Sequence, residues 1–563
     1  MPVLIVGAGL AGLSSAAFLA ARGVDVLLVE RHPGTSLFPA AVGQNLRTME
    51  LLGFGGIAER VPMLPPGLSA FRVRIAATLP GPTFHETVSE TDTSQVNALS
   101  PARLGTAGQD KMEPILRRRA EELGADLRFD TELVSFGQDD DGVTAVLRDR
   151  DGLTSEVRAA YLVAADGNRS GVREALGVGR HGSGTLGHNV SIIFDVDLAG
   201  LLDPEPPTLH VLHNEHANGV FITVDAAVNR HLYSVNYDPA AGQSPEDFTP
   251  ERCVELIRLI TELPDLEPDI RAVRPWDTAA MVADRFRVGR VLLAGDAAKV
   301  TPPSGGLGGN TAIGDAYDLA WKLAAVLDST AGPELLDTYD AERRPIADRV
   351  VLEAERLAGN RGPATAGDGG REGEELSDEQ RAARLVLGFR YRSAAVISDP
   401  ADEDSADTDS AGTDSAGTDS AGTDSSDTDS AGTDSSDTDS ADTYSTDPED
   451  PNHPSGRPGF RAPHVWLHRD GEKLSTVDLF GHGFVLLTGA EGGIWTAAAD
   501  DVAARLGITL QAHTIAEDLT GYGIEASGAS LVRPDGVIAW RTTEAPDDPA
   551  AVLLQALTTV LAR

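Results

Sequence analysis

The chain has 563 residues, enough for roughly three to four domain-sized units. Acidic residues outnumber basic ones, 87 to 46, for a net charge of −41, which excludes sequence-independent binding to nucleic acid or anionic lipid. The single cysteine, Cys253, excludes an intrachain disulfide, a Cys-based metal centre and a CxxC redox pair; with no cluster of metal-ligand spacing elsewhere, no metal is expected. The opening MPVLIVGAGLAG lacks the basic region and cleavage site of a leader, and no apolar run reaches the roughly 18 residues of a membrane helix. The expectation is a cytoplasmic protein without a membrane or nucleic-acid partner.

In chain order, Val3-Leu4-Ile5-Val6 reads as a buried parallel strand. Gly7-Ala8-Gly9-Leu10-Ala11-Gly12 follows, then a helix ending near Gly23, then a second strand, Val26–Val29, closed by Glu30 and Arg31. A helix is predicted over Glu113–Leu123, with alternating strands after it and a strand at YLVAA. Strand-like runs fill 185–275, among them SIIFDVDL, GVFITVD and HLYSVNYD. PERCVELIRLI reads as a helix with Thr249 as N-cap, Pro250 at its first position and Cys253 as a small buried residue. Val291–Ala294 is another buried strand, and a helix spans Ala312–Leu327.

Between Asp399 and Asp450 there is no lysine or arginine, and Thr408–Asp447 repeats a five-residue TDSAG/TDSSD unit. Such a segment buries too little to offset its ordering entropy, so it is expected to be a disordered linker. A calcium-binding roll would need Gly-rich nonapeptides with a regular apolar position, and these are missing. The predicted organisation is a first part of a nucleotide-binding domain over 1–180, an inserted antiparallel sheet over 181–275, the second part with a long helix over 276–398, the linker over 399–457, and a further domain over 458–563. The fold class is α/β.

The first glycine motif carries a physical reason at each position. Gly7 permits a tight turn, Gly9 lets backbone approach a pyrophosphate, and Gly12 allows close helix–strand packing; Glu30 stands near the ~20-residue spacing of a ribose-binding acid. Two further motifs follow strands: Asp166-Gly167-Asn168-Arg169-Ser170-Gly171-Val172-Arg173, and Gly295-Asp296-Ala297-Ala298-Lys299 with Pro302-Pro303-Ser304-Gly305-Gly306-Leu307-Gly308-Gly309-Asn310. An Asp at a strand end can accept from a ribityl hydroxyl, and a loop opening a helix can hold a flavin's pyrimidine edge.

With these three motifs in order, the chain resembles the FAD-dependent aromatic hydroxylases, the single-component flavoprotein monooxygenases. The form GDAAKVTPPSGGLGGN…DAYDLAWKLA is most similar to the aromatic polyketide hydroxylases of the aklavinone 11-hydroxylase and tetracenomycin hydroxylase types. RPGFRAPHVWL, STVDLFGHGFVLLTG and GASLVRPDGVIAWR resemble their thioredoxin-like C-terminal domain, here without any cysteine. The resemblance implies FAD as cofactor, NADPH (or NADH) and O2 as co-substrates, oxygen transfer through a flavin C4a-hydroperoxide, and a polycyclic aromatic substrate of anthracyclinone type, in a monomer or homodimer. It places Gly7, Gly9, Ala11 and Gly12 at the pyrophosphate, Glu30 and Arg31 at the adenosine ribose, Gln109 at the phosphate or ribityl region, Asp296 at the ribityl chain, and Pro303, Gly306, Leu307, Gly308, Gly309 and Asn310 beside the flavin ring. Asp166 and Arg173 belong to the motif tied to FAD and NADPH, and Arg47 matches an arginine near the flavin.

Arg361 is the expected catalytic group, a guanidinium holding a substrate phenolate; the alternative reading of NRGP is a helix-ending loop. Tyr237, Trp276, Pro302, Arg390 and Arg392 are expected at the substrate, with Tyr233 in the core and at most one of His210 and His213 near the pocket. Relatives often have Pro-Arg-Ala where this chain has Pro39-Ala40-Ala41. Lys299 stands where many flavin hydroxylases have His, and reads as subfamily character or as a solvated turn residue. A Baeyer–Villiger outcome and a non-catalytic flavin-holding subunit remain open alternatives; no WxWxIP halogenase motif is present.

Overall fold

The computed structural model describes residues 1–64, 70–90, 93–203, 205–216, 218–359, 376–399, 448–469 and 471–563. The expected linker repeat and Arg361 therefore lie outside the described residues. Among these residues no helix is long and apolar enough to cross a membrane.

The continuous apolar run Val3–Val6 is wholly buried and pairs in parallel with Val26–Val29 on one side and Tyr161–Ala164 on the other. With Asp126–Arg128, Val291–Leu293 and the antiparallel Arg287–Val288, they form a six-stranded sheet in the order 287–288, 291–293, 161–164, 3–6, 26–29, 126–128. The helices Leu10–Ala20 and Leu307–Leu327 pack against it. The strands meet helices on the buried sheet, which is why they read as unbroken apolar runs. The strands 131–139, 142–149 and 154–159 make a separate antiparallel meander.

The second sheet has eight strands, in the order 299–300, 269–283, 180–195, 230–237, 218–225, 208–213, 70–76, 83–90. It reaches beyond the expected 181–275, because Ala70–Ala76 joins Thr208–His213 in parallel and Thr83–Glu90 forms the far edge. The run FRVRIA alternates as a strand does, but it stands far ahead of 181–275 in the chain, and only the pairing with Thr208–His213 assigns it to this sheet. The helix Pro250–Thr261 has Thr249 as N-cap, whose hydroxyl accepts from Arg252 N, and buries Cys253, Leu256, Ile257 and Ile260 against one sheet face.

The C-terminal sheet runs 510–514, 484–488, 529–532, 538–542, parallel at the first pair and antiparallel thereafter. The helix Gly493–Leu506 links the parallel pair and Pro549–Val560 follows the last strand. This is the thioredoxin-like topology, with the usual second helix reduced to the single turn Thr520–Tyr522.

Candidate active site

The first turn is built by sterics. Gly7 has φ +104°, and a Cβ there would overlap the Ala165 carbonyl; one at Gly12 would overlap the Gly7 carbonyl. Gly9 is different: the atom nearest a Cβ is Glu113 Oε1 at 3.9 Å, so the space before the helix N-terminus is open. Free N–H groups facing an open space at a helix start suit a pyrophosphate. Glu30 accepts from Ala8 N at 2.8 Å and His32 N at 2.9 Å, which fixes it at the strand end beside this opening.

Glu113 was not anticipated from sequence. It accepts from Gln109 Nε2 at 2.6 Å and Ser36 N at 2.7 Å, and burial pushes its carboxyl above the ordinary range. Gln109 N donates to the Ala40 carbonyl at 2.8 Å. The strip 36–45 is thereby pinned along the cradle. Asn310 pins its other end, accepting from Asn45 N at 3.0 Å and donating to the carbonyls of Gly43 (3.2 Å) and Gly306 (2.8 Å). Ala41 sits in the left-handed region at φ 51°, with its Cβ turned to Gly309.

The second motif closes on itself. Asp166 accepts from Ser170 Oγ at 2.5 Å and Val172 N at 3.1 Å. Arg173 is buried and donates to the Asn168 carbonyl (3.1 Å) and weakly to that of Ala297 (3.5 Å), joining this motif to the third. There, Asp296 is open to solvent yet ringed by protein, as a group lining a cleft must be. Burial pushes its carboxyl upward and the charge of Lys299 pulls it down. Pro303, Gly308 and Asn310 also keep exposed surface, whereas Pro302 is buried. Lys299 is no solvated turn residue: it is buried against Asp315.

Strand register decides which side of the eight-stranded sheet can face the cofactor, because directly opposed residues share a face. Ile192, Tyr233, Phe221 and His210 stand in one row and pack on the helix Pro250–Thr261. There, burial, helped by Arg74 and Arg72, pushes His210 down to about 4, so it stays neutral. Tyr237 belongs to this face as well, its ring 5.9 Å from Phe248, which corrects its expected place at the substrate. The neighbouring row is Ser191, Ser234, Val220 and Val211, with Arg274 across from Ser191. Arg274 lies 5.3 Å over the Phe38 ring, so this face looks onto the pinned strip.

The facing side is polar. Trp276 Nε1 donates to Ser191 Oγ at 2.9 Å, Ser191 and Ser234 hydroxyls lie 3.2 Å apart, and Asn189 Nδ2 donates to Thr278 Oγ1 at 2.9 Å. His213 shares this side, and its Nε2 is buried without a hydrogen-bond partner. Sequence reasoning found Trp276 but missed Asn189, Ser191, Ser234 and Arg274; alternation pairs them, but only register says which face is which.

Two expected residues make their contacts elsewhere. Arg47 donates to Glu50 Oε2 at 3.2 Å and to the Asp535 carbonyl of the C-terminal domain. It shares a cavity of about 60 Å³ with Asn310, Asp318, Arg343, Tyr391 and Asp535. The hydrogen bonds seen for Arg47 therefore serve the domain junction, contrary to the expected flavin contact. Arg390 is buried over Phe460, donating to the Pro458 carbonyl at 3.2 Å, and Arg392 follows it in the same segment, which is docked through Tyr391 N to Gly459 O at 2.8 Å. That corrects the expected place of Arg390 at the substrate; Arg392 is exposed.

The open phosphate space at Gly9, the exposed carboxylate of Asp296 and the loop-to-helix turn at Gly306–Asn310 together fit an FAD. A family model described as FAD binding domain matches residues 1–354, and one described as aromatic-ring hydroxylase, C-terminal, matches 455–563. An aklavinone 12-hydroxylase of Streptomyces purpurascens is 46% identical over 100% of this chain and 99% of its own. A tetracenomycin A2 monooxygenase-dioxygenase of Streptomyces glaucescens is 39% identical over 100% and 97%. The crystal structure of a ternary complex of aklavinone-11 hydroxylase with FAD and aklavinone aligns with TM-score 0.85 and 44% identity, covering 100% of this chain and 99% of that one. The chain belongs to the FAD-binding aromatic hydroxylases and is an FAD-dependent aromatic monooxygenase.

Proposed function

We propose that the protein hydroxylates a polycyclic aromatic polyketide of anthracyclinone type, with NADPH as reductant and dioxygen as oxidant. The observation that carries this reading is the polar row Trp276–Ser191–Ser234 on the sheet face turned to the cradle, taken with relatives whose names specify aklavinone and tetracenomycin. A flat, multiply oxygenated ring system needs an aromatic wall and hydroxyl partners, and this face supplies both. When bound, FAD supplies electrons taken from NADPH and activates dioxygen at its C4a carbon.

The chain's own groups do the rest. The free N–H groups before Leu10–Ala20 bind the pyrophosphate, and Asp296 accepts a ribityl hydroxyl. The N-terminus of Leu307–Leu327 presents a partial positive charge to the pyrimidine end. The sheet face orients the substrate ring and excludes water. Arg361 is the proposed holder of a substrate phenolate.

The test is aerobic NADPH oxidation by the flavin-loaded protein with and without aklavinone, with product masses recorded. Stimulated oxidation with a gain of one oxygen and an intact ring system is the expected result. A gain of one oxygen with ring expansion would replace hydroxylation by Baeyer–Villiger chemistry. No stimulation by any of a panel of polycyclic phenols would remove the substrate assignment.

A further inference from the structure

Lys299 follows the Asp296 turn and is 2% exposed. Its ammonium is paired with Asp315 Oδ2. Asp315, fully buried in the helix Leu307–Leu327, accepts from Arg343 Nε at 2.9 Å through its other oxygen and from Gly295 N at 3.3 Å. Arg343 is completed by Tyr391 Oη at 2.9 Å and the Thr311 carbonyl at 3.3 Å. One carboxylate thus joins three segments: the turn bearing Asp296, the helix opened by the glycine loop, and the long helix Asp337–Gly359.

The junction holds two cations against Asp315, leaving one positive charge in excess. The charges acting on Asp296 are Lys299, Asp315 and Arg274; those acting on Lys299 are Asp315, Arg343 and Asp296. Burial opposes both charged forms, raising Asp296 and lowering Lys299, so each ion depends on its neighbours to remain charged. Asp296 makes no hydrogen bond among the described residues, so its lone pairs are available to a ligand.

The geometry points to Lys299 and Asp315 as positioning residues for cofactor retention: Asp315 holds the Lys299 ammonium beside the Asp296 turn, and that charge keeps Asp296 a carboxylate able to accept a hydroxyl of the flavin's ribityl chain. This rests on the FAD reading above. Removing the ammonium raises the pH at which Asp296 takes up a proton. Retention is then lost, as pH falls, at a higher pH than in the unaltered protein.

The experiment measures the FAD dissociation constant by flavin fluorescence from about pH 5 to about pH 9. It compares the unaltered protein with Lys299→Met and Lys299→Gln, which leave the Asp315–Arg343 pair intact. Lys299→Met is expected to weaken FAD about tenfold on the acid side, the difference between a charge-assisted and a neutral hydrogen bond, with recovery toward alkaline pH. Lys299→Gln, a second neutral replacement, moves the acid limb the same way and decides if Lys299→Met does not fold. An acid limb superimposable on that of the unaltered protein overturns the proposal. So does a uniform loss of affinity at every pH with a lower melting temperature, which would make the triad a purely structural element. Failure of the unaltered protein to bind FAD would instead strike the cofactor reading itself.

Discussion

Charge is buried in two regions of this molecule, and the two are completed differently. At the junction with the C-terminal domain, Arg533 is fully buried and reaches both Glu342 oxygens, at 2.6 and 2.9 Å. Asp535 accepts from the rest of the Arg533 guanidinium, and Lys322 (2.7 Å) and the Ser393 hydroxyl (2.6 Å) complete Glu342. Close by, Arg461 and Arg47 converge on Glu50, and although burial pushes this carboxyl upward, the two guanidiniums hold it below its usual range. In the cradle, by contrast, the Asp296 carboxylate has no hydrogen-bond partner among the described residues and Gly9 faces open space. A buried ion whose valences are filled by protein holds architecture together; one left open toward a cleft is waiting for a ligand. Asp318 is the exception within the junction. Neither of its oxygens makes a hydrogen bond although Lys322 Nζ is 2.7 Å away, and burial raises its affinity for a proton, which balances a group of three carboxylates against two cations.

The largest effect is expected where the junction is broken. Arg533→Met leaves Glu342 and Asp535 short of a cation and should cost about 3–5 kcal/mol, read as a steep fall in melting temperature with or without FAD. If melting is unchanged, the junction is not the clamp described. Asp296→Ala should do the reverse: FAD retention falls by tenfold or more while the apo-protein melts as before, measured as flavin stoichiometry after gel filtration. Full flavin occupancy would contradict the placement of the third motif. Smaller still, Trp276→Phe removes the hydrogen bond to Ser191 and should raise KM for the aromatic substrate severalfold, whereas Tyr237→Phe, on the helix-packed face, should leave KM in place. Equal effects of the two would reverse the assignment of sheet faces. The smallest effect is expected from deleting residues 405–447, whose composition offers nothing to bury: FAD binding and turnover should stay within about twofold.

The cradle was legible in the sequence because its chemistry is local. Gly7, Gly9 and Gly12 lie within one turn, and Asp296 follows its strand directly, so short-range spacing carries the steric argument. The junction was not, because Arg533 meets Glu342 across 191 residues and Arg47 meets Asp535 across 488. Nothing in QNLRTMELL separates an arginine aimed at a flavin from one aimed at another domain. The sheet faces show a third case. Alternation in HLYSVNYD puts Tyr233 and Tyr237 on one side, but only the neighbouring strands and the helix Pro250–Thr261 determine that this side is the core. Lys299 illustrates the same limit: its polarity suggests solvent, and its burial depends on Asp315 and Arg343 arriving from two other helices.

Arg461 and Arg533 lie in the C-terminal domain, whereas Glu50 and Glu342, which they meet, lie in the part of the chain that holds the cradle. Without that domain Glu50 would keep only Arg47 and the Ser100 hydroxyl, and Glu342 only Lys322 and the Ser393 hydroxyl. A buried ion that has lost a partner is costly, so the two parts should melt as one cooperative unit rather than in separate steps.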